Sequence, residues 1–338
     1  MKVNRTELFE MLKKIRPGLA KRQFGEKRAN FNFTGTDILT YNGRISISHP
    51  FISDFKCVVM AKELFDILEN IKEENISLHL NDDQTELRVV SALTEAGLRL
   101  EAKQLLEDLF QALEDTSKSE WKKIPETFME GMRLCVFSAS RDMSQDMSTC
   151  VGVQGKNLLA TDALRMSHYT MGEEMGKFIL PAQSVEDLIK IEDIISYTIG
   201  EKWAHFKSEG GIVFSMNRFP KNEYYDIRKY FDIEGEKIKL PEGLKEAVEG
   251  CFIMAEADVL KDKRMDVTVT NNLIICEAQK DNGWIKKMVK TNFTRDFNFV
   301  INPVFFAQVL DKTTRLTVGS KSALLSRKNF RHALMLVV

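Results

Sequence analysis

Proline and glycine are scarce, 7 and 18 in 338 residues, which excludes collagen-like, proline-rich and largely disordered chains. No window holds the roughly 18 consecutive apolar residues that a spanning helix needs. The opening Met1-Lys2-Val3-Asn4-Arg5 lacks the apolar stretch of a secretory signal, so a cytoplasmic location without membrane association is expected. The five cysteines (Cys57, Cys135, Cys150, Cys251, Cys276) include no C-x-x-C pair and are odd in number; buried reduced thiols are expected rather than a disulfide framework or metal site. The five histidines (His49, His79, His168, His205, His332) show no metal-ligand spacing. Neither a G-x-S-x-G elbow nor a G-x-x-x-x-G-K loop occurs, so Thr34-Gly35-Thr36-Asp37 reads as a turn. Acidic pairs such as Asp82-Asp83 and Glu173-Glu174 read as solvated turn charge. No cofactor, no metal and no catalysis are expected. Charge of one sign is also lacking: 48 Lys+Arg against 49 Asp+Glu leave −1. Taken alone, that argues against a dedicated nucleic-acid binder, which is usually basic.

What the chain does have is repetition. Leu39-Thr40-Tyr41-Asn42-Gly43-Arg44-Ile45-Ser46 lies over Ala160-Thr161-Asp162-Ala163-Leu164-Arg165-Met166-Ser167, with Thr40 and Thr161 separated by 121 positions. The same spacing carries Val59 to Leu68 onto Leu180 to Ile189, and a further step lands on Ile301 to Leu310. Each of these segments is an apolar strand end followed by a short amphipathic helix. Ile76 to Leu80, Ile195 to Ile199 and Leu316 to Val318 then alternate apolar and polar residues, as half-buried antiparallel strands do. Two more short strands follow each time. Each repeat also opens with an amphipathic helix, predicted over about Arg5 to Ile15, Pro125 to Phe137 and Glu242 to Met254. The result is an α+β chain of three units, 1–118, 119–238 and 239–338, with linkers near Glu114 to Lys122 and Gly235 to Leu240.

These residues resemble the bacterial DNA sliding clamp, the β subunit of the replicative polymerase. Leu159 to Met166 resembles its A-T-D-G-x-R-L segment, and Val58 to Leu68 its V-P-A-x-x-F/L-x-x-I-L segment. Met216 to Tyr224 resembles G-x-F-P-x-Y, Leu240-Pro241 the L-P that opens the third domain, and Ala333 to Val338 the apolar tail. The order covers essentially the whole chain. Two departures mark a divergent member, such as a bacteriophage or other mobile replicon would carry. Ala163-Leu164 stands where the family has Gly-His, and Met335-Leu336-Val337-Val338 replaces M-P-M-x-L. The chain is also somewhat short for the family.

The resemblance implies three similar clamp domains, helices on an inner face and antiparallel sheets outside, closing head to tail as a homodimeric ring. It implies a processivity factor that encircles double-stranded DNA without sequence specificity and tethers a replicative DNA polymerase and clamp loader. Sliding requires weak phosphate contacts rather than base readout, so near-zero net charge is tolerable if cations sit on the inner helices. Candidate DNA-facing residues are Lys13, Lys14, Lys21 and Arg22 in the first repeat. Arg133, Arg141 and Gln145 follow in the second, and Lys261, Lys263 and Arg264 in the third. Cations at helix ends also complement the macrodipole, so each cluster alone has that simpler reading. The resemblance places a partner-peptide groove at Val151, Thr161, Ala163, Leu164, Arg165, Met166, Pro241, Met335, Leu336 and Val337, with ordinary domain core as the alternative. Leu98 and Leu100 match apolar ring-interface positions and equally suit a domain core. The rivals are a nuclease-like DNA-processing enzyme on a repeated α/β scaffold, and a ring-fold scaffold that does not bind DNA.

Overall fold

The computed structural model describes residues 1–20, 29–101, 116, 120–144, 146–255, 257 and 259–337. The chain opens with β1 (Lys2–Asn4), α1 (Arg5–Ile15), β2 (Asn30–Phe33), β3 (Asp37–Tyr41), β4 (Ile45–Pro50), β5 (Cys57–Met60), α2 (Ala61–Asn70), β6 (Asn75–Leu80), β7 (Glu86–Val90) and β8 (Glu95–Arg99). The same order returns as β9 (Lys122–Lys123), α3 (Phe128–Cys135), β10 (Cys150–Gln154), β11 (Asn157–Thr161), β12 (Arg165–Thr170), β13 (Lys177–Pro181), α4 (Ala182–Leu188), β14 (Ile194–Ile199), β15 (Trp203–Ser208) and β16 (Val213–Asn217). It returns again as β17 (Glu236–Lys239), α5 (Leu244–Gly250), β18 (Met265–Thr270), β19 (Leu273–Lys280), β20 (Gly283–Lys290), β21 (Phe297–Ile301), α6 (Pro303–Leu310), β22 (Arg315–Val318), β23 (Ser322–Arg327) and β24 (Phe330–Met335). Strand, helix, four strands, helix and three strands thus occur three times.

Local chemistry sets the helix ends. The Asn4 side chain accepts from the Glu7 N–H at 3.0 Å and caps α1; Leu8, Leu12 and Ile15 then fall on one buried stripe. Asn302 caps α6 in the same way, accepting from Val304 and Phe305. The third opening helix is shorter than the sequence pattern predicts. It ends at Gly250 and passes into turns, because glycine gains little from helical order. The expected linker Gly235 to Leu240 is instead strand β17, with Ile238 buried between exposed Lys237 and Lys239. The Glu114 to Lys122 linker falls largely outside the described residues.

Residues divide by contact into two compact units, Met1–Ile124 with Glu186–Pro220, and Pro125–Val185 with Lys221–Val338. The first holds a sheet ordered β5-β2-β3-β4-β16-β15-β14-β9 and another ordered β1-β6-β7-β8. The second holds β13-β10-β11-β12-β24-β23-β22-β17 and β20-β19-β18-β21. Each eight-stranded sheet is two four-stranded halves joined at one antiparallel seam, β4 with β16 and β12 with β24. A buried histidine bonded to serine lies at or beside each seam, His332 across the β12–β24 seam itself and His205 on β15, one strand in from the β4–β16 seam. His205 Nδ1 lies 2.8 Å from Ser215 Oγ, and His332 Nδ1 lies 2.8 Å from Ser167 Oγ. Burial pushes both imidazoles toward the neutral form, His205 down to about 4.

The seams follow a rule. The third strand after a repeat's opening helix (β4, β12) pairs with the last strand of the next repeat (β16, β24). The corresponding strands without such a partner among the described residues are β20 and β8, each at the edge of a four-stranded sheet.

Candidate functional site

The two hairpin turns that the sequence overlays are built alike, but one residue out of the proposed register. Asn42 and Asp162 play the same part. Asn42 Oδ1 accepts from the N–H groups of Arg44 and Ile45, and Asp162 Oδ1 from those of Leu164 and Arg165, at 3.0 to 3.1 Å. The copies therefore coincide at 120, not 121, through β3–β4 and β11–β12. Backbone turn chemistry, rather than side-chain identity, decides the register. Gly43 then coincides with Ala163, and both adopt left-handed backbone, φ 88° and 71°. Ala163 is thus a non-glycine residue where the first repeat uses glycine.

Arg44 and Arg165 act similarly despite that slip. Arg44 Nη2 donates to Asp187 Oδ2 of α4 at 2.7 Å, and Lys190 reaches the other carboxylate oxygen at 2.9 Å. Burial works to raise the Asp187 pKa; the hydrogen bonds from Arg44 and Lys190 overcome it and hold the carboxyl below its usual range. Arg165 donates through Nε to Asp162 at 2.9 Å and through Nη1 to Gln308 of α6, and its guanidinium lies 4.3 Å from the Phe305 ring centre. Asp187 and Gln308 are separated by the repeat spacing of 121. The Arg165 side chain is buried, and desolvation pulls its pKa down against the pull of Asp162. It clasps a helix instead of lining an open groove.

The other groove candidates separate into three sets. Ala163 (exposed), Leu164, Met335, Leu336 and Val337 gather at one end of the second unit's large sheet: the Met335 N–H donates to Leu164 O at 2.9 Å, Leu336 N–H to Lys321 O and Val337 N–H to Val300 O. Thr161 tightens the turn, donating to Arg165 O at 2.9 Å, and Met166 is half-buried one strand position on. Val151 is wholly buried inside β10. Pro241 is not brought to this cluster. It follows Lys239, which pairs with Arg315, in register with Ser326 and Arg331, while Met335 pairs with Ser322. Four strand residues separate those rows, about 13 Å.

Of the candidate DNA-facing residues, Lys13 and Lys14 are exposed in the last turn of α1, Lys13 bonded to Glu10 at 2.8 Å. Arg133, Arg141 and Arg264 are exposed and Lys263 half-buried. Lys21, Arg22 and Gln145 lie outside the described residues, as does the Lys261 side chain. Further cations, Arg16, Lys62, Lys190, Lys245 and Lys312, join Lys13 and Arg133 around two cavities. One, about 770 Å³, is lined by Lys13, Arg16, Lys62 and Lys190 together with Asp66, Glu69 and Asp187, over Phe9 and Phe65. The other, about 490 Å³, is lined by Arg133, Lys245 and Lys312 over Phe137 and Phe252. The first lies among α1, α2 and the end of α4, the second among α3, α5 and α6. Leu98 is buried within its own unit and Leu100 half-buried; among the described residues β8 is a sheet edge. All five cysteines are buried. Among the described residues no three His, Cys, Asp or Glu side chains gather as a metal site would need.

Comparison with solved structures covers the whole chain. The β subunit from the DNA polymerase of Streptococcus pyogenes superposes with a TM-score of 0.85 over 99% of both chains, at 18% identity. That of Pseudomonas aeruginosa gives 0.84 over 100% of this chain and 99% of that one, at 14% identity. The chain has the β sliding-clamp fold. A Helicobacter pylori β clamp solved with a DNA ligase peptide shares the clamp fold at a TM-score of 0.79 and 15% identity, over 100% and 99% of the two chains. No family model matches the sequence, and neither does any curated protein.

Proposed function

We propose that this protein is a ring-forming sliding clamp of three domains per chain (1–118, 119–238, 239–338), a processivity factor that encircles duplex DNA and tethers a polymerase and other replication proteins. The observation that carries the reading is the pair of unfilled edges. Two seams of one type are already made inside the chain, β4 with β16 and β12 with β24. The third seam of that type needs β20 of one copy and β8 of another, a head-to-tail arrangement in which each edge meets a different one. The clamp fold supports closure as a homodimer. Leu98 and Leu100 stand at or just past the β8 edge, and exposed Met288 and Trp284 lie on β20.

The cations at the helix ends and around the two cavities are the proposed DNA-facing surface. Lys13, Lys14, Lys21, Arg22, Arg133, Arg141, Gln145, Lys261, Lys263 and Arg264 are its candidate contacts, diffuse charge without base readout. The apolar cluster of Leu164, Met166, Met335, Leu336 and Val337 is the candidate seat for a partner's peptide; that a Helicobacter pylori clamp of the same fold binds a DNA ligase peptide supports peptide capture by the fold. Scaffolding of this kind needs no catalytic group.

Light scattering after size exclusion, combined with retention on nicked circular DNA, tests the reading. The wild type is expected at twice 38.8 kDa and retained on circles, but lost when the circle is linearised. Met288→Asp, which puts a carboxylate into the seam, is expected to run as a monomer and to be lost from circles. A wild-type monomer, or retention unaffected by linearisation, refutes the ring.

A further inference from the structure

One face of the second unit's eight-stranded sheet is half covered by the chain's own connector. The Tyr224 ring stands where a side chain on Gly152 would collide, within 2.4 Å of a Cβ, and the Tyr224 hydroxyl donates to Cys150 O at 3.2 Å. Phe231 lies 5.6 Å from the His168 ring and 5.4 Å from the Arg331 guanidinium. His168, Arg331, Ser326, Arg315 and Lys239 form one cross-strand row, so all five side chains point to this covered face. The next row on the same face runs Ala333, Leu324, Thr317, Lys237. Beyond Ile233 the cover stops, and a cavity of about 760 Å³ opens over β17, β22 and β23.

Its lining contains Lys237, Lys239 and Arg315 and no carboxylate. None of the three makes an ion pair among the described residues; Glu236 alternates to the opposite face and is held by Arg295 at 3.2 Å. Leu324, half-buried, lies on the floor with Ile233 at the rim. We propose that this shelf binds an extended acidic segment of a partner protein, with carboxylates on the three cations and one apolar side chain on Leu324. Three unshared cations around an apolar floor select a negatively charged, partly apolar ligand. The connector, which makes a short 3-10 turn at Arg228–Phe231, shows that a chain segment already packs on the adjoining half. The proposal does not depend on ring closure or on the peptide cluster at Met335.

The test uses the full-length protein and fluorescein-labelled acetyl-Glu-Glu-Leu-Glu-Glu-amide, followed by polarisation, with oligodeoxythymidine of equal charge as the competing polyanion. Saturable binding is expected, weakened at least about tenfold by the surface double variant Lys237→Glu/Arg315→Glu, and weakened by salt. Leu324→Ala should weaken it without changing the salt dependence. Hydrogen exchange of residues 314–317 should slow when the peptide is bound. Absent binding, undiminished binding to the double variant, or displacement of the peptide by oligodeoxythymidine as effective as by unlabelled peptide each overturns the proposal.

Discussion

Acid should destabilise the sheet beside the β4–β16 seam through one histidine, His205 on β15. His205 is fully buried, stacked near Trp203 at 6.4 Å, with Nδ1 on Ser215 and no partner for Nε2. A proton on that ring would sit in an apolar sheet core with nothing to receive its second N–H, so burial lowers the pKa from 6.5 to about 4. The unfolded chain takes the proton first. Stability from this group is therefore complete above pH 6.5 and declines as the pH falls from 6.5 toward 4, by about 1.4 kcal/mol per unit. At pH 5 the loss is about 2 kcal/mol. Urea unfolding followed by circular dichroism between pH 7.5 and 5, on the wild type and His205→Phe, reads the effect. The variant loses the Ser215 bond and starts less stable, yet its stability should fall less steeply, by close to one proton. His168 and His332, also buried, remain in both proteins and cancel from the comparison. Parallel curves for the two proteins would refute the assignment of a buried neutral ring at 205.

Ala163→Gly should stabilise the protein by about 1 kcal/mol, since alanine there is held at φ 71°; a lower thermal midpoint would contradict the strain. Arg44→Ala leaves Asp187 buried with Lys190 as its remaining cation, and should cost about 2 kcal/mol at pH 7. That cost should vanish as the pH falls through the depressed Asp187 pKa, where the carboxyl protonates, and urea titrations at pH 7 and pH 3 would show it. A cost unchanged at pH 3 would assign Arg44 a packing role only.

Period-two alternation and repeat spacing made most strands and helices legible in the sequence, because half-buried strands and amphipathic helices write their burial into residue order. Edge strands write less. Glu236 to Lys239 carries a single apolar residue, so β17 reads as linker although Ile238 is buried. The one-residue slip between the hairpins was hidden because Thr40, Arg44 and Ser46 match Thr161, Arg165 and Ser167 in type. The bonds of Asn42 and Asp162 decide the register, and their residue types differ. Arg165 looked like a groove residue from its neighbours in sequence. Its partner Gln308 lies 143 positions away, and no local pattern could announce that pairing. Tyr224 stood out only through the resemblance at Met216 to Tyr224, and the Phe231 anchor was silent, since a connector that lies over a sheet face needs no periodicity.

The two open edges, β8 and β20, belong to one chain yet differ from each other. A molecule with two unlike ends is a link, and links of this type join into open strings or closed loops. The edges set only which end joins which. The number of links in a closed loop is fixed by the turn from one end of the chain to the other. In a sliding ring, the seams buried inside each chain would then control circumference, although they touch neither DNA nor the neighbouring copy.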